Sequence, residues 1–246
     1  GKAGKTMLSW SEELAHIMLR MTDMVMVLAQ IAVFGSIMGS LAHSGPEMMM
    51  HFGRFLFQFY GTIMTLWMVL TFITFCVIGP RIKVLIQELV QPVILGFATA
   101  SSESVYPLLL ERLESFGVPS RIAGFVLPLG YSFTLAGSIL FQSFGAIFIA
   151  QAYGIHLPWT QQALMVLVMM LSSKGIAGVP RASLVTLVAV LPQFGLPEAG
   201  IALILGIDHF LDMLRTATNV LGNGYAAAVS AKWEGVLSEG PTEDVI

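Results

Sequence analysis

The chain has 246 residues, 56% of them hydrophobic and 11% charged, with a net charge of -3 and one cysteine. A soluble domain carries about 25% charged residues, so this composition excludes a water-facing globule and points to an all-α polytopic membrane protein in a lipid bilayer. The absence of a basic patch excludes nucleic-acid binding, and a lone Cys76 excludes an internal disulfide.

The sequence opens Gly1-Lys2, shows no signal-peptide pattern and has its first strong apolar run near Met24, so an N-terminally truncated chain is expected. From about Trp10 to Ala42 the pattern is helical, amphipathic at first and wholly apolar after Asp23. His43-Ser44-Gly45-Pro46 is a turn signal. A second helix is expected from Glu47 to Ile78, stopped by Gly79-Pro80. Phe55 to Pro80 runs 26 residues without a charge, more than the roughly 20 that one crossing needs.

Residues 81–98 form a limb too short and too polar at its start to span comfortably. It meets the polar interruption Ser101-Ser102-Glu103, and Val105 to Phe116 leads back to the charged stretch Glu111-Arg112-Leu113-Glu114. Two short limbs around a polar tip read as a re-entrant hairpin, about 81–116. Ile122 to Ser173 then runs 52 residues without Lys, Arg, Asp or Glu and must turn back on itself. A helix over 119–153 is broken near Thr134-Leu135-Ala136-Gly137-Ser138. A second pair of limbs, about 158–195, surrounds Ser172-Ser173-Lys174, followed by Pro180. The last helix, 197–234, is expected to be interrupted by a polar stripe, and the acidic tail 236–246 to be disordered.

Lys and Arg set orientation. Lys2, Lys5, Arg20, Arg81, Lys83, Arg112, Arg121 and Lys232 cluster at one side, whereas the turns at 43–46, 154–158 and 195–197 hold none. The first hairpin therefore enters from the cytoplasm and the second from outside, an inverted repeat. Lipid cannot satisfy freed backbone groups, so paired breaks of this kind survive where they line a polar cavity.

Ionisable groups at membrane depth face a cavity or a partner. Asp212, Arg215, Asn219 and Asn223 recur at i, i+3, i+7 and i+11, one helical face. Either Asp212 and Arg215 only pack the bundle, or the stripe binds a ligand, Arg215 clamping a carboxylate with its fork and Asp212 holding an ammonium group. Ser102 sits where freed amides can meet an anion. Glu103 and Arg181 are the charges nearest the two tips. They either face water in a vestibule, or Arg181 assists the ligand and Glu103, if buried, carries a coupling proton. Ser172, Ser173 and His209 make no serine hydrolase, since no Gly-x-Ser-x-Gly elbow is present. The chain is read as a non-enzyme without a cofactor.

Four segments in order resemble the dicarboxylate/amino acid:cation symporter family of glutamate transporter homologues. They are Ala98-Thr-Ala-Ser-Ser-Glu-Ser, Leu127-Pro-Leu-Gly130, Ser173-Lys-Gly-Ile-Ala-Gly-Val-Pro180 and Gly206-Ile-Asp-His-Phe-Leu-Asp-Met-Leu-Arg-Thr-Ala-Thr-Asn219. The resemblance implies an elevator-type symporter, trimeric when full length, with a scaffold-type helix in 1–46, a mobile transport domain in 47–235 and the second hairpin as gate. It implies that the family's first four helices are absent here. It further implies substrate contacts at Ser102, Ser138, Val179, Ser183, Asp212, Arg215 and Asn219, an acidic amino acid or C4-dicarboxylate as substrate, and Na+ or H+ as coupling ion. Retention of Asp212 favours the amino acid.

Cation sites implied by the family draw on main-chain oxygens of Gly130, Thr134 and Asn219 with Asn223, and on Ser132, Ser173, Lys174 and Ile176. A site built on position 136 is expected to be disabled and the one with Asn223 weakened, while the one on main-chain oxygens of Ser132, Ser173, Lys174 and Ile176 is open to survive. The family's Asn-Met/Leu-Asp-Gly-Thr/Ser is replaced by Thr134-Leu135-Ala136-Gly137-Ser138, and a common Asp is replaced by Asn223. A transport-incompetent relic of the same family is the alternative expectation.

Overall fold

Gly79 takes φ +67, a left-handed turn that ends the first long helix, and Pro80 starts the next turn without an N–H to lose. A computed structural model of the chain describes residues 47–133, 136–173, 182–205 and 207–238, together with single helical positions at 10, 13, 17, 20, 34, 35 and 38. Regular structure among the described residues is helical throughout. In chain order it comprises α1 Glu47–Ile78, α2 Ile82–Thr99, α3 Ser102–Phe116, α4 Ser120–Phe133, α5 Ala136–Ala152, α6 Trp159–Ser172, α7 Ala182–Val190, α8 Ile201–Leu205 and α9 Asp208–Trp233. The scaffold-type helix expected before residue 46 and the acidic tail from 239 onward lie largely outside the described residues.

The segments expected as limbs are helical, although α3 begins three residues earlier than Val105 and α7 gives way to a 3-10 turn at Leu191–Phe194. One expectation changes. The last segment is broken between Leu205 and Asp208, before the polar stripe, and α9 runs unbroken through the stripe itself. The polar side chains there bond mainly to one another and to neighbouring helices, so the backbone ladder of α9 stays intact.

Two apolar cores flank α9. Phe59, Ile63, Phe141, Ile149, Met165, Met169, Leu187 and Ile204 build the first, to which α9 gives Leu211 and Leu214. Leu85, Leu89, Val105, Leu109, Leu113, Phe116 and Leu127 build the second, with Val220, Tyr225 and Ala228 from the far half of α9. Along its length α9 is tied to α1. Tyr60 Oη donates to the Phe210 carbonyl at 3.1 Å, Trp67 Nε1 donates to Thr218 Oγ1 at 2.9 Å, and Thr71 Oγ1 bonds Tyr225 Oη at 3.0 Å. Both members of these pairs advance together in number, so the two helices run parallel.

The α2–α3 pair is anchored at its base and ends midway along α9. At the base, Arg81 donates to the Phe116 carbonyl at 2.9 Å and lies over the Phe116 ring, while the Ser238 N–H donates to the Gly117 carbonyl at 3.0 Å. Toward the turn, Gly96 presses on α9, where an added Cβ would lie 3.0 Å from Val220 Cγ2 and 3.7 Å from Thr216 Cγ2. The turn itself is made by Ala100, whose φ of +50 is left-handed for a side-chain-bearing residue, a strain of roughly 1–2 kcal/mol. The α6–α7 pair lies on α5 in a similar way, Gly145 of α5 meeting Leu187 of α7.

Outward, α1 and α2 present Phe57, Met68, Phe72, Val84, Val90 and Ile94. An apolar surface of that extent suits lipid or partner helices and not water. Gly53–Thr99 (47 residues) and Ser120–Ala152 (33 residues, passing over the undescribed 134–135) are long and apolar enough to cross a membrane.

Close approach of α5 to α9 depends on one glycine. A Cβ on Gly137 would sit 2.3 Å from the Arg215 carbonyl oxygen, a backbone atom that cannot rotate away. At Gly222 a Cβ would meet nothing within 4 Å. Thermal unfolding in detergent should therefore show Gly137→Ala destabilised by about 1–3 kcal/mol through overpacking. Gly222→Ala should gain up to about 1 kcal/mol from helix propensity. Equal effects of the two would contradict the packing described.

Candidate functional site

Between the two cores lies a polar layer carried chiefly by α9. Asp212, Arg215, Asn219 and Asn223 are 2%, 5%, 3% and 0% exposed. Uncompensated burial of such groups is costly, so each partner is informative. Arg215 donates to Asp212 Oδ1 within the helix, at i,i+3 spacing. Thr216 Oγ1 lies 3.5 Å from the same carboxylate oxygen. The Arg215 guanidinium carbon stands 5.6 Å from the centroid of the Phe141 ring, within cation–π range. Its Nε has no partner among the described residues.

The start of α5 closes the layer on a second side. The first turn of any helix holds N–H groups without intrahelical partners. Asn219 supplies the missing acceptor from another helix. Its Oδ1 accepts from the Gly137 N–H at 2.9 Å, and its Nδ2 donates to Ser138 Oγ at 3.2 Å. Asn219 thus acts on α5 as a capping side chain acts on its own helix, and Ser138 is brought beside it.

Asn223 marks a third corner. A Cβ on Gly130 of α4 would fall 2.3 Å from Asn223 Oδ1, so α4 and α9 approach closely at these two residues. Both polar atoms of Asn223 are buried and lack a partner among the described residues. Unsatisfied buried groups are rare in native structures and point to an ion or a water. Among the described residues no cluster of three or more His, Cys, Asp or Glu could hold a metal. A cation here would rest on amide and carbonyl oxygens, the ligands hard cations take.

Ser102 is buried in the first turn of α3, and Ser183 in the first turn of α7. Ser173 is buried at the end of α6, its hydroxyl donating to the Met170 carbonyl at 2.9 Å. Ser132 is exposed. Glu103 is exposed as well, so the burial required for a proton-carrying role is not met among the described residues. Thr134, Lys174, Ile176, Val179 and Arg181 lie outside them.

Three participants were not singled out from the sequence. Gln142 is fully buried on α5, one turn beyond Ser138, with Nε2 3.4 Å from the Ser183 carbonyl. Its signal in the sequence is weak, since Gln151, Gln161 and Gln162 are amides in the same uncharged run and only the i+4 spacing from Ser138 sets Gln142 apart. Thr216 and Thr218 carried a weaker one, since hydroxyls are common in apolar helices bonded to their own backbone, as Thr218 is to the Leu214 carbonyl at 2.8 Å. A separate groove of about 980 Å³ between α1 and α5, lined by Phe55, Gln58, Thr62, Leu140, Phe144 and Gln151 among others, is mainly apolar, has no charged lining residue and stands apart from the polar layer.

Chemically, the layer offers a guanidinium with a spare donor, a carboxylate beside it, and a buried amide whose polar atoms have no partner among the described residues. That set suits a ligand bearing a carboxylate and an ammonium group, with a cation close by.

Comparison with known proteins gives a consistent picture. A proton/sodium-glutamate symport protein of Geobacillus stearothermophilus is 42% identical over 246 residues, which is 97% of this chain and 57% of that protein. A proton/glutamate-aspartate symporter of Escherichia coli is 43% identical over 221 residues, 90% of this chain and 51% of that protein. A C4-dicarboxylate transport protein of Pseudomonas syringae pv. tomato is 38% identical over 239 residues, 96% of this chain and 52% of that protein. The chain thus spans little more than half the length of these curated relatives. The model of the sodium:dicarboxylate symporter family matches residues 1–233, and the chain belongs to that family of membrane symporters.

Proposed function

We propose that this chain forms the substrate-carrying part of a secondary active symporter that takes up an acidic amino acid, or a C4-dicarboxylate, together with Na+ or H+. The observation that carries the reading is the buried Asp212–Arg215 pair beside the α5 start that Asn219 caps. Arg215 binds the side-chain carboxylate, Asp212 the ammonium group, and Asn219 with Ser138 and Ser102 the main-chain carboxylate region. Val179, Arg181 and Ser183 complete the site from the second hairpin. Relatives named for glutamate, glutamate-aspartate and C4-dicarboxylate support the substrate class. Asp212 favours the amino acid, because a plain dicarboxylate brings no cation to it.

In this reading the protein is multi-pass in the cell membrane. Residues 47–235 form a transport domain that moves as an elevator against a scaffold that includes 1–46, within a homotrimer. The α2–α3 and α6–α7 pairs are hairpins entering from opposite faces. Support for the dead end of the first comes from its base at Gly117–Ser238 and its turn beside Gly96–Thr216, halfway along α9. The second hairpin is the gate.

The coupling cation sits at Asn223, with carbonyl oxygens near Gly130 and Thr134. Ser132, Ser173, Lys174 and Ile176 supply main-chain oxygens to a second position. The neutral amide at 223 compensates a cation's lost hydration less well than a carboxylate does, so binding there is weak. Uptake of labelled aspartate and succinate into proteoliposomes, with sodium and proton gradients imposed separately, tests the whole reading. Accumulation of neither substrate under either gradient refutes it.

Two substitutions test its parts. Arg215→Ala should abolish acidic-substrate binding in calorimetry. It leaves Asp212 buried without its cation, at a cost of about 3–5 kcal/mol. The double variant Asp212→Asn/Arg215→Met, which strands no charge, should therefore fold and still fail to bind, and retained binding would overturn the assignment. Asn223→Asp should lower the half-saturating sodium concentration roughly tenfold, the factor given by about 1.4 kcal/mol of added charge interaction. Asn223→Ala should raise it. Sodium dependence unchanged in both would remove the cation from this corner.

A further inference from the structure

Trp67 is half-buried on α1 and packs against both apolar cores. Its indole N–H donates to Thr218 Oγ1 at 2.9 Å, and the Thr218 hydroxyl in turn donates to the Leu214 carbonyl at 2.8 Å. Both are ordinary hydrogen-bond lengths. A threonine hydroxyl bonded to its own helix needs nothing more in an apolar setting. A phenylalanine at position 67 would touch both cores without bringing a donor that has to be satisfied. Packing therefore does not explain the indole. The polar link does, because of where on α9 it lands.

Thr218 directly precedes Asn219. Neighbouring side chains on an α-helix diverge by about 100°. Thr218 accordingly meets α1, while Asn219 meets α5, accepting from the Gly137 N–H at 2.9 Å and donating to Ser138 Oγ at 3.2 Å. At this level α9 is tied from two diverging directions. Such a pair of ties fixes a helix against rotation about its own axis, which a smooth apolar contact does not. Side-chain ends lie about 5–6 Å from the helix axis, so a turn of about 10° carries each of them about 1 Å. Binding groups have to be held to about 0.5 Å. The other two α1–α9 bonds, at Phe210 and Tyr225, fall outside the stripe from Asp212 to Asn223. Of the three, the Trp67 bond is the one at the level of Arg215 and Asn219.

We propose that Trp67 is a positioning residue, which through Thr218 sets the rotation of α9 and so the placement of Arg215 and Asn219 in the polar layer. The proposal rests on the reading of that layer as the substrate site. It goes beyond that reading by assigning part of the site's geometry to α1. Trp67 acts through α9 and not by contact with a ligand.

Two readouts test it, and the first needs no substrate. Trp67→Phe keeps an aromatic ring against both cores and removes the donor. In the purified protein it should speed hydrogen exchange at the Gly137 amide, which Asn219 holds, roughly two- to tenfold, the factor for one lost hydrogen bond. Exchange at the Leu113 amide, in the second core, should not change. Thr218→Val, which keeps the shape and removes the acceptor, should act in the same direction and stands in if the phenylalanine variant folds poorly. In the double variant the two effects should not add, because both remove one link, and full addition overturns the proposal. So does an unchanged Gly137 rate in both single variants, or an equal rise at Gly137 and Leu113, which reports general loosening.

The second readout is the indole itself. Of the four tryptophans, Trp10, Trp159 and Trp233 are 74%, 85% and 76% exposed. With 5-fluorotryptophan incorporated, the Trp67 fluorine resonance is therefore the buried one, and its loss in Trp67→Phe identifies it. Saturating aspartate should shift that resonance, since a ligand held by Arg215 and Asn219 loads the same turn of α9. Trp67→Phe should weaken aspartate binding in calorimetry by a similar two- to tenfold factor. A resonance that stays in place while aspartate binds, or equal affinity in variant and parent, overturns the proposal. If the Gly137 rate responds while the parent binds neither aspartate nor succinate, the placement of Asn219 by Trp67 stands and the substrate assignment falls.

Discussion

A helix that begins deep inside an apolar body exposes N–H groups that neither lipid nor hydrocarbon side chains can satisfy. Here the start of α5 meets that constraint through Asn219, whose amide takes the Gly137 N–H and gives a hydrogen bond to Ser138. Much follows from this one contact. The helix that supplies Asn219 has to pass beside the α5 start, so α9 is central. Its near side cannot carry bulk, so Gly137 is a glycine. Its polar face cannot look outward, so apolar elements pack round it on every other side.

Two cores meet at α9 for the same reason. The upstream half of α9 is apolar toward α1, α5, α7 and α8, and the downstream half toward α2, α3 and α4. Neither core takes a residue of α9 between Leu214 and Val220, where Arg215, Thr216, Thr218 and Asn219 are buried instead. In a membrane the apolar contacts add little transfer energy, because lipid tails are as apolar as leucine. Tight packing at Gly96, Gly137 and Gly224, together with the α1–α9 hydrogen bonds, then carries more of the association than it would in a soluble protein. Gly224 illustrates the point, since a Cβ there would come within 2.6 Å of Leu89 Cδ2.

The helices were legible in the sequence because their ends are chemically marked. Gly79-Pro80 and Gly117 fix boundaries that apolar runs alone leave open, and Glu47–Ile78 and the end of α3 at Phe116 appear where those markers put them, while α3 starts at Ser102, inside the polar interruption. The stripe Asp212, Arg215, Asn219, Asn223 was legible as one face because its spacing is helical. The break in the last helix lies before the polar stripe and not within it, because polar side chains that find partners leave the backbone undisturbed. Side-chain partners on α5 and within α9 absorb those polar groups, and the backbone continues. Burial of Glu103 was a different matter. Sequence places it at a polar tip but carries no record of which way an α3 residue faces until α2 and α9 are packed. Gln142 escaped notice because one amide has no motif, and its meaning lies in Ser183, 41 residues away.

Under the proposed function, charge balance in the layer gives a physical reason for coupling. Among the described residues the buried ionisable groups on α9 are Asp208, Asp212 and Arg215. A resting site of this kind is not positive. An acidic amino acid adds a further net negative charge, and a dicarboxylate adds two. Leaving such a charge in a medium of low dielectric costs several kcal/mol even after relaxation, more than one guanidinium already paired with Asp212 can recover. A cation entering with the substrate removes the excess at its source. The unsatisfied amide of Asn223 offers that cation oxygen within the same layer, so substrate and cation stabilise each other's burial without needing to touch. Under the proposed function, binding of either alone would be weak and binding of both favourable, and the reciprocity of that linkage would let the downhill movement of one drive the other.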